Sequence, residues 1–174
     1  MMFSHLFADD GSGFSVQFDA GHADALTYVL LHEASHVVDQ VLGLTDNADG
    51  PFRAGLWRDL RALAPAYDGT LMSATPFRRQ PPVPLRHAPA YYESLRQSPF
   101  VSFYATAAAP EDLAELFAWQ QLAARDAPLT LTVRNGQGQA IYRYRPLEQP
   151  VVQRRFADTQ AVLDRFAEAC AGPA

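Results

Sequence analysis

Apolar and polar positions along the chain alternate with two different periods. Residues 2–7 (MFSHLF) and 14–18 (FSVQF) are short, β-prone runs on either side of Asp9-Asp10-Gly11-Ser12-Gly13, a pattern that predicts a hairpin with a Gly-rich turn. From His22 to Leu42 the period changes. Leu26, Val29, Leu30, Val37 and Val41 recur at spacings of three and four, which predicts a helix. Asp19 to Gly21 supplies a start signal and Gly43 a stop. A second amphipathic helix is expected over 51–63, opened by Pro51.

Residues 68–100 carry six prolines and leave room for only a short helix near Tyr91–Gln97. A loop of this length is either a surface excursion or a functional segment. A strong helix follows over 110–125, with Pro110 in its first turn and Glu111 and Asp112 matching the helix dipole. Residues 129–134 and 139–145 alternate around Asn135-Gly136-Gln137-Gly138, a hairpin pattern, and a last helix is expected over 151–169. There is no internal repeat.

Length and composition narrow the class. At 174 residues with 48% hydrophobic content, the chain suits a single α+β domain spanning 1–174. All 14 basic residues are Arg and Ile141 is the sole Ile, a bias expected of a GC-rich, bacterial genome. The net charge of −5 argues against nucleic acid as a partner. Cys170 is the only cysteine, which excludes a disulfide framework and a Cys-based zinc knuckle. No apolar run is long enough for a membrane span. No signal peptide is visible, so the chain as written is expected in the cytoplasm; a missing N-terminal segment would change that to periplasmic or secreted.

The scarce residues matter most. There are five His and six Glu, yet His32-Glu33-Ala34-Ser35-His36 forms an H-E-x-x-H motif inside the longest predicted helix. At this composition the motif is expected by chance on the order of 0.005 times per chain. Residues four apart share a helical face, so His32 and His36 can hold one Zn2+ ion, while Glu33, about 100° around the helix, reaches a water beside it. A hydrolytic zinc site needs a third protein ligand and one open position. Asp39 lies too far along the same helix and fits a supporting or surface role better. Asp68 completes no ligand motif, and Leu42 occupies the position of a metzincin's third His. Glu111 with Glu115, one turn apart on the later helix, remains as the candidate.

The two motifs together resemble the gluzincin zinc metallopeptidases. The stretch Tyr104-Ala105-Thr106-Ala107-Ala108-Ala109-Pro110-Glu111-Asp112-Leu113-Ala114-Glu115 is similar to the anthrax lethal factor-like catalytic domains of bacteria, as is His36-Val37-Val38-Asp39. The resemblance covers about 20–42 and 100–125. It departs at Asp112-Leu113, where the relatives carry aromatics, and in the long gap between the motifs. It implies a zincin-like fold in which His32, His36 and Glu111 bind zinc and Glu33 is the general base. It also implies that Glu115 orients a ligand histidine and that Tyr104 donates to the developing oxyanion. Peptide or protein substrates follow from the same resemblance.

Zincins place a sheet before the active-site helix, and only about twenty residues precede it here. Either the sheet is minimal and completed by the 129–145 hairpin, or the chain is the C-terminal part of a longer protein. Two other expectations compete with a peptidase: a zinc-binding interaction module with a structural or inactive site, and a fold that binds no metal. His5 and His22 have no partner at ligand spacing. His87 is expected at the surface, Tyr91, Tyr92 and Phe100 in packing under the Pro-rich loop, and Cys170 is expected to be inert.

Overall fold

A computed structural model describes residues 6–127 and 129–171, with side chains to Arg165. It is a mixed α+β arrangement of four α-helices and a small sheet. The strands are β1 (Phe7–Ala8), β2 (Ser15–Asp19), β3 (Val83–Pro84), β4 (Thr130–Arg134) and β5 (Ala140–Tyr144). The helices are α1 (Ala25–Leu42), α2 (Ala88–Arg96), α3 (Ala109–Ala123) and α4 (Pro150–Ala171). No helix among the described residues is long and apolar enough to cross a membrane.

Among the described residues, no pairing is seen between the two segments, 2–7 and 14–18, expected to form a hairpin. Residues 2–5 lie outside the described residues, and β1 pairs in parallel with β3, Phe7 opposite Val83. β2 instead pairs antiparallel with β4, Ser15 opposite Arg134 and Asp19 opposite Thr130. The reason lies in the glycines. The Asp9–Gly13 loop crosses the tip of the later hairpin backbone to backbone, so a Cβ on Gly13 would stand 2.9 Å from the Gly136 Cα. Gly13 also has a φ of +72°, which other residues rarely adopt. Asp10 anchors the loop at both ends, accepting from Ser12 and from Arg86.

β4 and β5 form the expected hairpin, and addition of β2 gives a three-stranded antiparallel sheet in the order β2-β4-β5. Leu131 and Val133 of β4 point inward, and Phe18 of β2 packs against both Tyr28 of α1 and Trp119 of α3. α3 runs through the centre. Ten of its fifteen residues are buried, which explains a helix apolar on nearly every side. Its most extensive helix contact is with α1.

α1 begins later than its expected start signal. Asp24 is the N-cap, accepting from the Thr27 N–H at 2.6 Å, and Gly43 ends the helix in the left-handed region at φ 62°. Its apolar stripe faces outward. Tyr28, His32, Ser35 and Asp39 form the buried face, whereas Leu26, Leu30, Val37 and Val41 are 59–69% exposed. The helix is turned by the polar bonds its inner face makes.

No helix forms over 51–63. The segment is a series of turns closed by a bridge between Trp57 and Leu63. Asp59 accepts from the N–H groups of Arg61 and Ala62, a local turn that competes with helix, and Gly55 sits at φ +72°. The Pro-rich stretch is built of short 3-10 turns at Pro65–Tyr67, Leu71–Ser73, Pro76–Arg78 and Leu85–His87, and ends in α2. The Arg78 guanidinium ties it down by donating to Thr75 Oγ1 at 3.4 Å and to the Thr106 carbonyl.

Candidate metal centre

α1 and α3 lie side by side, and their facing turns bring together residues about eighty positions apart. His32 and His36, one turn apart on α1, meet Glu111 in the first turn of α3. His32 Nε2 lies 3.1 Å from Glu111 Oε2, His36 Nε2 3.4 Å from the same oxygen, and the two Nε2 atoms are 3.2 Å apart. Ligand atoms about 2.05 Å from a tetrahedral ion are separated from one another by about 3.3 Å. The three atoms therefore stand at the edges of a site of zinc's size, and they are the one group among the described residues with this capacity.

The donor chemistry fits as well. Among the described residues His32 Nδ1 faces Glu115 Oε1 at 3.0 Å, an acceptor, so the proton of a neutral His32 sits on Nδ1. Its Nε2 lone pair then points at the Glu111 carboxylate, two electron-rich atoms in contact that a cation or a proton must reconcile. Burial alone would lower the His32 pKa, but hydrogen bonds and charge from Glu111 and Glu115 outweigh it and raise the pKa to about 9. Glu111 shows the complement. Burial pushes it upward, yet the two histidines and Tyr104 hold it below its ordinary value.

Behind His32, Glu115 is wholly buried and collects donors from four directions. Besides His32 these are the Tyr28 hydroxyl, Ser102 Oγ at 2.5 Å and Trp119 Nε1 at 3.2 Å. A carboxylate offers about four lone-pair positions, and all are used. Tyr28 is one turn before His32, and Trp119 one turn after Glu115. Helical spacing alone could have flagged both, whereas Ser102 comes from the preceding loop with no such signal.

Asp39 does not support a ligand histidine. Its carboxylate accepts from the Thr45 N–H at 2.8 Å and the Thr45 hydroxyl at 2.6 Å, closing the turn after α1. Asp112 has its own buried role. Arg155 of α4 grips it through two bonds of 2.8 Å, and Trp57 Nε1 donates to it at 3.2 Å. That pair accounts for a buried acid at position 112.

Tyr104 stands at the rim. Its ring is 5.7 Å from the His32 ring and 5.9 Å from Phe77 of the Pro-rich stretch. Burial, then the charge and hydrogen bond of Glu111, push its pKa up to about 12, with a contribution from Glu33. Glu33 itself is exposed on the outer flank of α1. His36 and Glu111 keep 28% and 24% of their side chains exposed, so solvent reaches the cluster.

Compared with protein families, with curated proteins and with solved structures, the chain gives no match.

The remaining candidates lie elsewhere. His22 and His87 are exposed, His5 and the Cys170 side chain lie outside the described residues, and Tyr92 and Phe100 are core residues. Tyr91 is half-buried and donates to the Ala74 carbonyl at 3.1 Å.

Proposed function

We propose that the chain is a zinc-dependent metallopeptidase of the gluzincin type with a zincin-like fold. The observation that carries this is the 3.1–3.4 Å triangle of His32 Nε2, His36 Nε2 and Glu111 Oε2, which is open to solvent. His32, His36 and Glu111 hold the ion, which when bound supplies a Lewis acid and lowers the pKa of water.

The chain's own groups do the rest. Glu33 takes a proton from the attacking water and delivers it to the amine that leaves. Tyr104, kept protonated at neutral pH by its pKa of about 12, donates to the oxyanion that grows on the scissile carbonyl. Glu115 acts through His32, fixing its tautomer and ring plane. The substrate is a peptide or protein segment presented at the exposed side of the cluster.

The test joins metal content to digestion. Purified protein is expected to carry one zinc per chain and to cleave members of an unbiased peptide library. Glu33→Gln is expected to keep the zinc and lose cleavage. Wild-type protein that binds zinc and cleaves nothing supports the interaction module instead. An active Glu33→Gln protein removes the proposed mechanism.

A further inference from the structure

Among the described residues nothing covers the face of α1 opposite its buried one. Leu26, Leu30, Val37 and Val41 are 64%, 59%, 61% and 69% exposed, and Ala34 lies exposed among them. At about 100° per residue, the centre of this stripe falls about 180° from that of Tyr28, His32, Ser35 and Asp39. None of the exposed residues of the helix is basic, and the one acid among them is Glu33, about 50° off the stripe's centre at its rim. Single exposed leucines are ordinary on a protein surface, but four branched apolar side chains in one line are not.

The spacing of the stripe reads the same in both directions: four residues from Leu26 to Leu30, seven on to Val37 and four more to Val41. A second copy of α1 laid antiparallel therefore falls into register. Leu26 meets the partner's Val41, Leu30 meets the partner's Val37, and Ala34 stands beside the two-fold axis. Such reciprocal contacts are what a two-fold dimer requires. Every Leu then faces a Val, which keeps the two helices evenly spaced, and the small Ala34 lets them approach. A parallel pair would set Leu on Leu at one end and Val on Val at the other. The area agrees as well. At these exposures the four side chains present on the order of 400 Å² of apolar surface, so two copies together cover about 800 Å², the apolar share of a stable interface of about 1,400 Å².

We propose that α1 is the interface of a symmetric, antiparallel homodimer built from Leu26, Leu30, Ala34, Val37 and Val41 of both copies. This interface is independent of the peptidase proposal. The His32, His36 and Glu111 cluster stands about 130° around α1 from the stripe, so the helix contact does not lie over it. Each copy carries a net charge of −5, and the stripe offers no ion pair. Burial of apolar surface therefore drives association against charge repulsion, which salt screens.

Sedimentation equilibrium of the full chain, from micromolar to submillimolar concentration, tests it. A dimer is expected, with a dissociation constant that falls as salt is raised. Leu30→Glu and Val37→Glu each place a charge in the contact and are expected to weaken the dimer about a hundredfold or more. Both positions are exposed in the single chain, so melting at dilution, where the protein is monomeric, is expected to change little. Ile141→Glu, at a 43% exposed position on β5, is expected to dimerise as the wild type does. Oxidation in a Cys170→Ser background reads the register. With helix axes about 9 Å apart, the two Ala34 Cα atoms lie about 6 Å apart, within disulfide range, whereas the two Leu26 Cα atoms are more than about 20 Å apart. Ala34→Cys is therefore expected to cross-link and Leu26→Cys is not. A chain that stays monomeric throughout overturns the proposal, including one that binds phosphatidylcholine vesicles as a monomer. So does unchanged association of Leu30→Glu, an equal effect of Ile141→Glu, a dimer weakened by salt, or cross-linking through Leu26→Cys.

Discussion

His32 and Glu115 are both fully buried, and the imidazole Nδ1 of the first meets the carboxylate of the second at 3.0 Å. That contact commits the other ring nitrogen to the cluster shared with His36 and Glu111. Tyr28, Ser102 and Trp119 hold the carboxylate from its other sides, so its place does not depend on a ligand ion.

Replacing Glu115 by Gln keeps the volume but turns one acceptor into a donor, which then faces either the Nδ1–H of a neutral His32 or the donor-only Trp119 Nε1–H. Zinc affinity is expected to fall about 10–100-fold, the usual effect of losing a partner behind a ligand histidine. Stability should fall by about 1–3 kcal/mol for the buried donors left unpaired. Chelator competition reads the first effect and urea unfolding the second. Unchanged affinity would show that His32 is oriented by packing alone.

The Asp112–Arg155 pair ties α3 to α4 one residue beyond Glu111. Burial raises the Asp112 pKa despite Arg155, a sign of how costly an ionised group is there. Asp112→Ala leaves a buried guanidinium without its partner and is expected to cost about 3–5 kcal/mol. The double variant Asp112→Ala, Arg155→Met should recover much of that loss. Urea denaturation of the four proteins in the cycle measures the coupling.

The local part of this site was legible in the sequence. His32/His36 and Glu111/Glu115 are each one helical turn apart, so spacing alone placed each pair on one face. The orientation of α1 was not legible, for a definite reason. Leu26, Leu30, Val37 and Val41 share a face by their periodicity, but Tyr28, His32, Ser35 and Asp39 have an equally regular spacing. Which stripe turns inward depends on partners far along the chain. Glu115 receives Tyr28 and His32, Thr45 satisfies Asp39, and Ser35 donates to the Leu31 carbonyl at 2.7 Å. A polar face so completely paired is buried without the usual cost. The misplaced hairpin and the absent 51–63 helix have the same origin. β2 finds its partner about 115 residues later, and Asp59 forms a turn that apolar periodicity cannot register.

The metal-free protein should show a distinct dependence on pH. The pKa of His32 rises from 6.5 to about 9 on folding, so the folded state holds a proton that the unfolded state gives up earlier. The resulting stability is fully present below about pH 6.5 and is lost as pH rises through about 9. If zinc binds as proposed, it takes the place of that proton, and the loss over this window should shrink in the loaded protein. Thermal unfolding between pH 6 and 10, with and without zinc, checks both statements. A metal-free melting temperature that does not fall from pH 6.5 to 9 would rule out a protonated His32.

Tyr104 gives the sharpest separation between positioning and chemistry. Its ring packs against His32 and Phe77, and Phe in its place preserves those contacts. Only the hydroxyl is lost. If that hydroxyl stabilises the oxyanion, Tyr104→Phe should lower kcat about 10²–10³-fold, the range typical for losing one such donor. KM and zinc content should change little, because the donor acts on charge that develops after binding. Steady-state kinetics on a peptide found by library digestion, paired with elemental analysis, would measure all three quantities. A rise in KM at constant kcat would instead place Tyr104 in substrate binding, and a loss of zinc would place it in support of Glu111.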